Sequence, residues 1–218
     1  LLAWCCVLFA ALLQPTFLSA DGMEDALDRA DYPPAQERAI RAVFERADEQ
    51  DVPSELLIPR LQQGVAKSVP GSRVARALEG DLRRLLQARS ELRETPRGDA
   101  ILNDRASWAR AANLLDAGRT AEELRNLAGV CADRPDAFRP ATTLYVSAVD
   151  WGLETPAALW LVEAAVDSSL PASDLPGITR LLVEGRRARV RPDRLVQRLV
   201  ATLPQVESLS ELRNRTLE

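Results

Sequence analysis

Val74-Ala75-Arg76-Ala77-Leu78-Glu79-Gly80-Asp81-Leu82-Arg83-Arg84-Leu85-Leu86-Gln87-Ala88-Arg89-Ser90-Glu91-Leu92 decides the fold class. Val74, Leu78, Leu82, Leu85, Leu86 and Leu92 recur every three to four residues, with charges between them. That period makes one apolar stripe on an α-helix and cannot be laid on one face of a strand.

The same period extends in both directions. Upstream, Ala39, Ile40, Val43, Phe44 and Ala47 mark a helix over about 35 to 50, followed by Leu56, Leu57, Leu61 and Val65. Downstream, Trp108, Ala111, Ala112, Leu114 and Leu115 form one stripe. After Gly118, Leu124, Leu127, Val130 and Cys131 form another. No stretch alternates apolar and polar residues for long. The expected fold is all-α, after an N-terminal signal segment.

Punctuation supports this reading. Pro53, Pro70, Pro140, Pro156, Pro171 and Pro192 are each followed, three or four residues on, by a large aliphatic residue. Proline suits a first helical turn, where its missing N–H would be unpaired anyway. Thr120 and Glu123 have capping-box spacing, and Thr155 before Pro156 is expected as an N-cap. Starts about 15 to 21 residues apart suit either a short α-solenoid of helical hairpins or an irregular helical bundle. The tetratricopeptide pattern of Trp, Leu-Gly and Tyr at fixed offsets is absent, so no named repeat is assigned.

The chain opens differently. Leu1 to Leu13 is uncharged and apolar, and Gln14-Pro15 then interrupts it. Leu18-Ser19-Ala20 resembles a cleavage site, and Asp21-Gly22-Met23-Glu24-Asp25 begins an acidic stretch. Residues 1–20 read as an export signal, with an uncleaved membrane anchor as the alternative. Residues 21–34 read as a flexible acidic lead-in. A front helical unit over 35–93, a connection over 94–104 and a back unit over 105–218 follow, with the two units packed as one domain.

Composition removes several chemistries. There is no histidine, so Ser-His-Asp and Cys-His catalysis and His-ligated zinc are excluded. Cys131 is the only cysteine beyond the signal, which excludes an intramolecular disulfide and a cysteine metal cluster there. Its apolar surroundings suit a small buried hydrophobe. Lys67 is the only lysine, in Gln63-Gly64-Val65-Ala66-Lys67-Ser68, which lacks the glycine spacing of a phosphate loop. The net charge of −4, with export, argues against nucleic acid. No cofactor or metal motif is present, and none is expected.

Candidate contact residues are few. Arg186, Arg187, Arg189, Arg191 and Arg194 form the densest charge cluster. Guanidinium groups there suit an acidic partner or anionic lipid heads, or simply a solvated turn. Trp151, beside Gly152, is expected to be partly exposed, whereas Trp160 lies between Leu159 and Leu161 and is expected in the core. Glu163 and Asp167 share a helix face, but no surrounding motif nominates a catalytic carboxylate pair. Asn214-Arg215-Thr216 fits the glycosylation triplet.

The expectation is an exported helical protein that binds or scaffolds an envelope or secreted protein. The alternatives are an envelope polysaccharide enzyme using paired carboxylates and a membrane-tethered structural protein.

Overall fold

The computed structural model describes residues 17–217. Among them there is no strand, and twelve α-helices follow one another: α1 (Phe17–Asp28), α2 (Pro34–Glu49), α3 (Ile58–Ala66), α4 (Gly71–Arg93), α5 (Gly98–Asn103), α6 (Arg105–Asp116), α7 (Ala121–Val130), α8 (Phe138–Asp150), α9 (Thr155–Asp167), α10 (Leu175–Arg187), α11 (Pro192–Thr202) and α12 (Leu209–Leu217). The expected signal lies outside the described residues, except for Phe17–Ala20, which open α1. Helix α1 continues to Asp28 because Ala26 and Leu27 bury an apolar face. The stretch expected as a flexible lead-in is thus largely helical, with its connection confined to residues 29–33.

The chain forms two compact units, Leu1–Leu86 and Gln87–Glu218, so the division falls inside α4. The segment 94–104 holds the short helix α5.

In the first unit α1 packs on α3. Ile40, Val43, Phe44 and Ala47 form the buried stripe of α2, as the spacing predicts. Gly64 of α3 lies so close to α4 that an added Cβ would stand 2.6 Å from Val74 Cγ2. Polar ties reinforce the packing: Tyr32 Oη donates to the Val69 carbonyl at 3.1 Å, and Arg46 pairs with Glu79 at 2.9 Å.

The second unit pairs α6 with α7, α8 with α9 and α10 with α11. Alternate helices also pack: α6 on α8, α8 on α10, α7 on α9 and α9 on α11. Each pair turns in the same way. Gly118, Gly152 and Arg189 take left-handed backbone conformations, with φ of 78°, 103° and 57°. The next amide returns to the last helical turn in each case: Arg119 N to the Leu114 carbonyl, Leu153 N to Ala148 and Val190 N to Gly185. This is the Schellman closure, which satisfies carbonyls that the helix leaves open.

Long-range bonds recur at similar separations. Arg134 donates to the carbonyls of Val166 (2.6 Å), Ser168 (3.2 Å) and Leu170 (3.0 Å), 32 to 36 residues ahead. Ser169 Oγ donates to the Val206 carbonyl, 37 residues ahead. Arg134 therefore places a fixed positive charge at the C-terminal end of α9, where the helix dipole favours it.

The expected capping box at α7 is present: Glu123 N donates to Thr120 Oγ1 and Thr120 N donates to Glu123. Glu123 also accepts from the Tyr145 hydroxyl and from Thr155 Oγ1, tying α7 to α8 and α9. Thr155 is thus not the N-cap of α9. Glu154 holds that position, and the Thr155 hydroxyl turns to Glu123 instead. Tyr145 is fully buried. Burial, helped by the neighbouring carboxylate, pushes its phenol up to about 12.

Candidate functional site

An open groove of about 820 Å³ lies in the second unit. Ala106, Ala109, Arg110 and Asn113 of α6 form one wall. Arg139, Pro140 and Thr143 of α8 form another, with Pro135 and Asp136 just before it. Ala100, Ala172, Ser173 and Pro176 complete the lining. The volume falls in the range of ligand pockets, and small or proline side chains keep the walls low.

Arg110 is the central charge. Its Nε donates to Thr142 Oγ1 at 3.1 Å and its Nη2 to Thr143 Oγ1 at 3.3 Å. Both hydroxyls spend their own protons on the Arg139 carbonyl, at 2.8 and 3.0 Å, so their lone pairs face Arg110. Sequence alone does not reveal this arrangement, because it uses residues 32 and 33 positions apart. Arg110 is half-buried, and Arg139 is exposed. No carboxylate of the described residues stands at ion-pair distance from either. Desolvation first, and then the Arg139 charge, lower the Arg110 pKa. Both effects disfavour its cationic form, and an added anion would offset the second of them.

The groove also carries two carboxylates. Asp104 is committed to the N-terminus of α6: it accepts from Ala106 N at 3.2 Å, Ser107 N at 3.1 Å and Ser107 Oγ at 2.6 Å. The Ser107 hydroxyl, chiefly, holds its carboxyl below the usual range against the opposing effect of burial. Asp136 is exposed at the groove edge.

None of the arginines or tryptophans singled out from sequence as candidate contacts lines this groove. Arg186, Arg187, Arg189, Arg191 and Arg194 are exposed around the turn from α10 to α11, and Arg191 pairs with Asp193 at 3.5 Å. Trp151 is half-buried at the C-terminal end of α8.

Trp160 departs from expectation: it is 47% exposed rather than in the core. Ala158, Leu161, Val162, Ala165 and Val166 define the buried face of α9, and Trp160 points away from that stripe. Its apolar neighbours in sequence did not reveal which face it occupies. Trp108 is buried, with the Arg89 guanidinium 5.8 Å from its ring centre. Cys131 is buried as expected, and desolvation pushes its thiol up to about 12, which makes it a poor nucleophile.

Glu163 and Asp167 are both exposed on α9. Among the described residues no group of three or more Cys, Asp or Glu side chains is placed to hold a metal ion, and no helix is long and apolar enough to cross a membrane.

In this groove charge, hydroxyls and concavity converge. The chain matches no protein-family model, no curated protein and no solved structure.

Proposed function

We propose that this is an exported binding protein that scaffolds a protein partner in the cell envelope, and that the groove between α6 and α8 is where the partner docks. The observation that carries the reading is Arg110: a half-buried cation in a concave surface, held by hydroxyls and without a carboxylate partner among the described residues. Half-buried charges are normally paired within the protein, and one left open in a groove is available to a partner.

The second unit supports a stacked reading. Its helix pairs turn alike, and several of its cross-pair bonds span 31 to 37 residues, as in Arg119 to Asp150 and Ser169 to Val206. We read it as a short stack of helical hairpins, an architecture that presents grooves along its length. The uncharged, apolar residues 1–13 and the small Ala20 support export.

Site-directed photo-crosslinking in the native host tests the binding site. A crosslinking amino acid at Asn113 or Thr143 is expected to capture the same envelope protein, while one at exposed Gln197 of α11 does not. Equal capture from all three positions, or none from the groove, overturns the reading. Fractionation tests export: recovery in the envelope fraction without residues 1–20 supports it, and recovery in the cytosol with them overturns it.

A further inference from the structure

We infer that the groove takes an extended acidic peptide segment, with one aspartate or glutamate side chain of the partner seated between Arg110 and Arg139. This rests on the groove being the partner site and names the chemistry recognised there.

Three observations carry it. First, Arg110 is already oriented. Two of its N–H groups are fixed on Thr142 and Thr143, so it has lost much of its rotamer freedom before a ligand arrives. The rest of its fork is left for a planar bidentate anion, and a carboxylate has that shape.

Second, Arg139 belongs to the same site. Its backbone carbonyl accepts from both threonine hydroxyls that hold Arg110, and its side chain lines the same groove. Burial chiefly, and the Arg139 charge after it, lower the Arg110 pKa, and an anion between the two cations would offset their repulsion.

Third, the lining limits the negative charge accepted. Asp104 is bonded in its cap and already lies in the field of Arg139, and Asp136 also lines the groove. A single carboxylate on a slim chain fits between the arginines, whereas a phosphate cluster would meet Asp136. Pro135, Pro140 and the alanine walls offer apolar contact to an extended backbone, and Asn113 offers an amide to its peptide groups.

The test is selection from a displayed library of random linear nine-residue peptides, using the full chain as bait. The selected peptides are expected to share one aspartate or glutamate. For the best binder, replacing that residue with its amide should weaken Kd about tenfold or more, measured by fluorescence anisotropy. Arg110→Gln and Arg139→Gln should each do the same, while Arg191→Gln leaves Kd unchanged. Asp136→Asn should tighten binding a few-fold. It and Arg139→Gln change exposed side chains, so both remain informative if Arg110→Gln unfolds the protein.

Peptides that crosslink to Asn113 but need no acidic residue would overturn this inference and leave the proposed docking site standing. Acidic peptides that bind Arg139→Gln as well as the parent would overturn it too. Failure to select any peptide would count against both readings.

Discussion

The chain carries two groups of arginines, and they differ in how they are made. Arg186, Arg187, Arg189, Arg191 and Arg194 are neighbours in sequence and stand exposed around one turn. Arg110 and Arg139 are 29 positions apart and line one groove only because α6 packs on α8. The dense run has water on all sides, which screens its charges and makes each of little energetic weight. Of the sparse pair, Arg110 is half-buried and held by threonine hydroxyls, so its charge is oriented and costly to leave unmatched, while Arg139 stays exposed. Local charge density therefore does not show which arginines are desolvated and bonded within the fold.

Substitutions can break this contrast. The largest expected effect is at Gly98, which opens α5 beside the groove. An added Cβ would stand 1.7 Å from the Leu92 carbonyl oxygen, so Gly98→Ala should cost about 3 kcal/mol in urea unfolding. A loss under about 1 kcal/mol would mean that the groove's flank yields easily.

Next is Arg134→Ala. It removes three bonds to the carbonyls that end α9 and should cost about 2 kcal/mol. If Tm is unchanged, the polar ties between successive helix pairs contribute little, and apolar packing alone aligns the groove.

Glu123→Ala removes half of the capping box and leaves the buried Tyr145 hydroxyl without its acceptor, for about 1.5 kcal/mol. The effect has a pH signature. Burial raises the Glu123 pKa, but the bonds from Tyr145, Thr120 and Thr155 outweigh it and hold the carboxyl below its ordinary value of 4.5. Its charge thus stabilises the fold above that pH, and the contribution fades as pH falls through the folded-state value. The Tm gap between parent and Glu123→Gln should narrow on acidification. A gap constant with pH would assign the effect to shape rather than charge.

Smaller effects belong to the basic turn. Arg189 holds φ at 57°, a conformation that glycine adopts without strain, so Arg189→Gly should stabilise by about 1 kcal/mol. Replacing Arg186, Arg187 and Arg194 together by Gln should move stability by less than about 0.5 kcal/mol. It should also leave acidic-peptide binding intact. A loss of that binding would erase the distinction between the two arginine groups.

Much of the fold was legible residue by residue. The stripe of Ile40, Val43, Phe44 and Ala47 is buried as its spacing requires, and Thr120 with Glu123 caps α7. Local geometry decides such features, and helical periodicity and capping chemistry act within a turn or two. Trp160 was not legible, because an apolar segment such as Leu159 to Val162 does not say which side meets the core. Nor were the turns at Asp51, Ser68 and Arg189, which adopt left-handed φ without glycine. Closure of the preceding helix holds them there against their own preference.

By itself, then, the sequence determined that the described chain is helical, that no histidine chemistry operates in it, and that Cys131 has no cysteine partner beyond the apolar N-terminal segment. Those are properties of composition and of patterns a few residues long. Only the tertiary structure decided that Thr142 and Thr143 would hold Arg110, that Arg139 would line the same groove and that the basic turn would be left to solvent. The reason is distance along the chain. A site assembled from α6 and α8 exists only once two helices separated by more than 20 residues have packed, and no local pattern encodes that meeting.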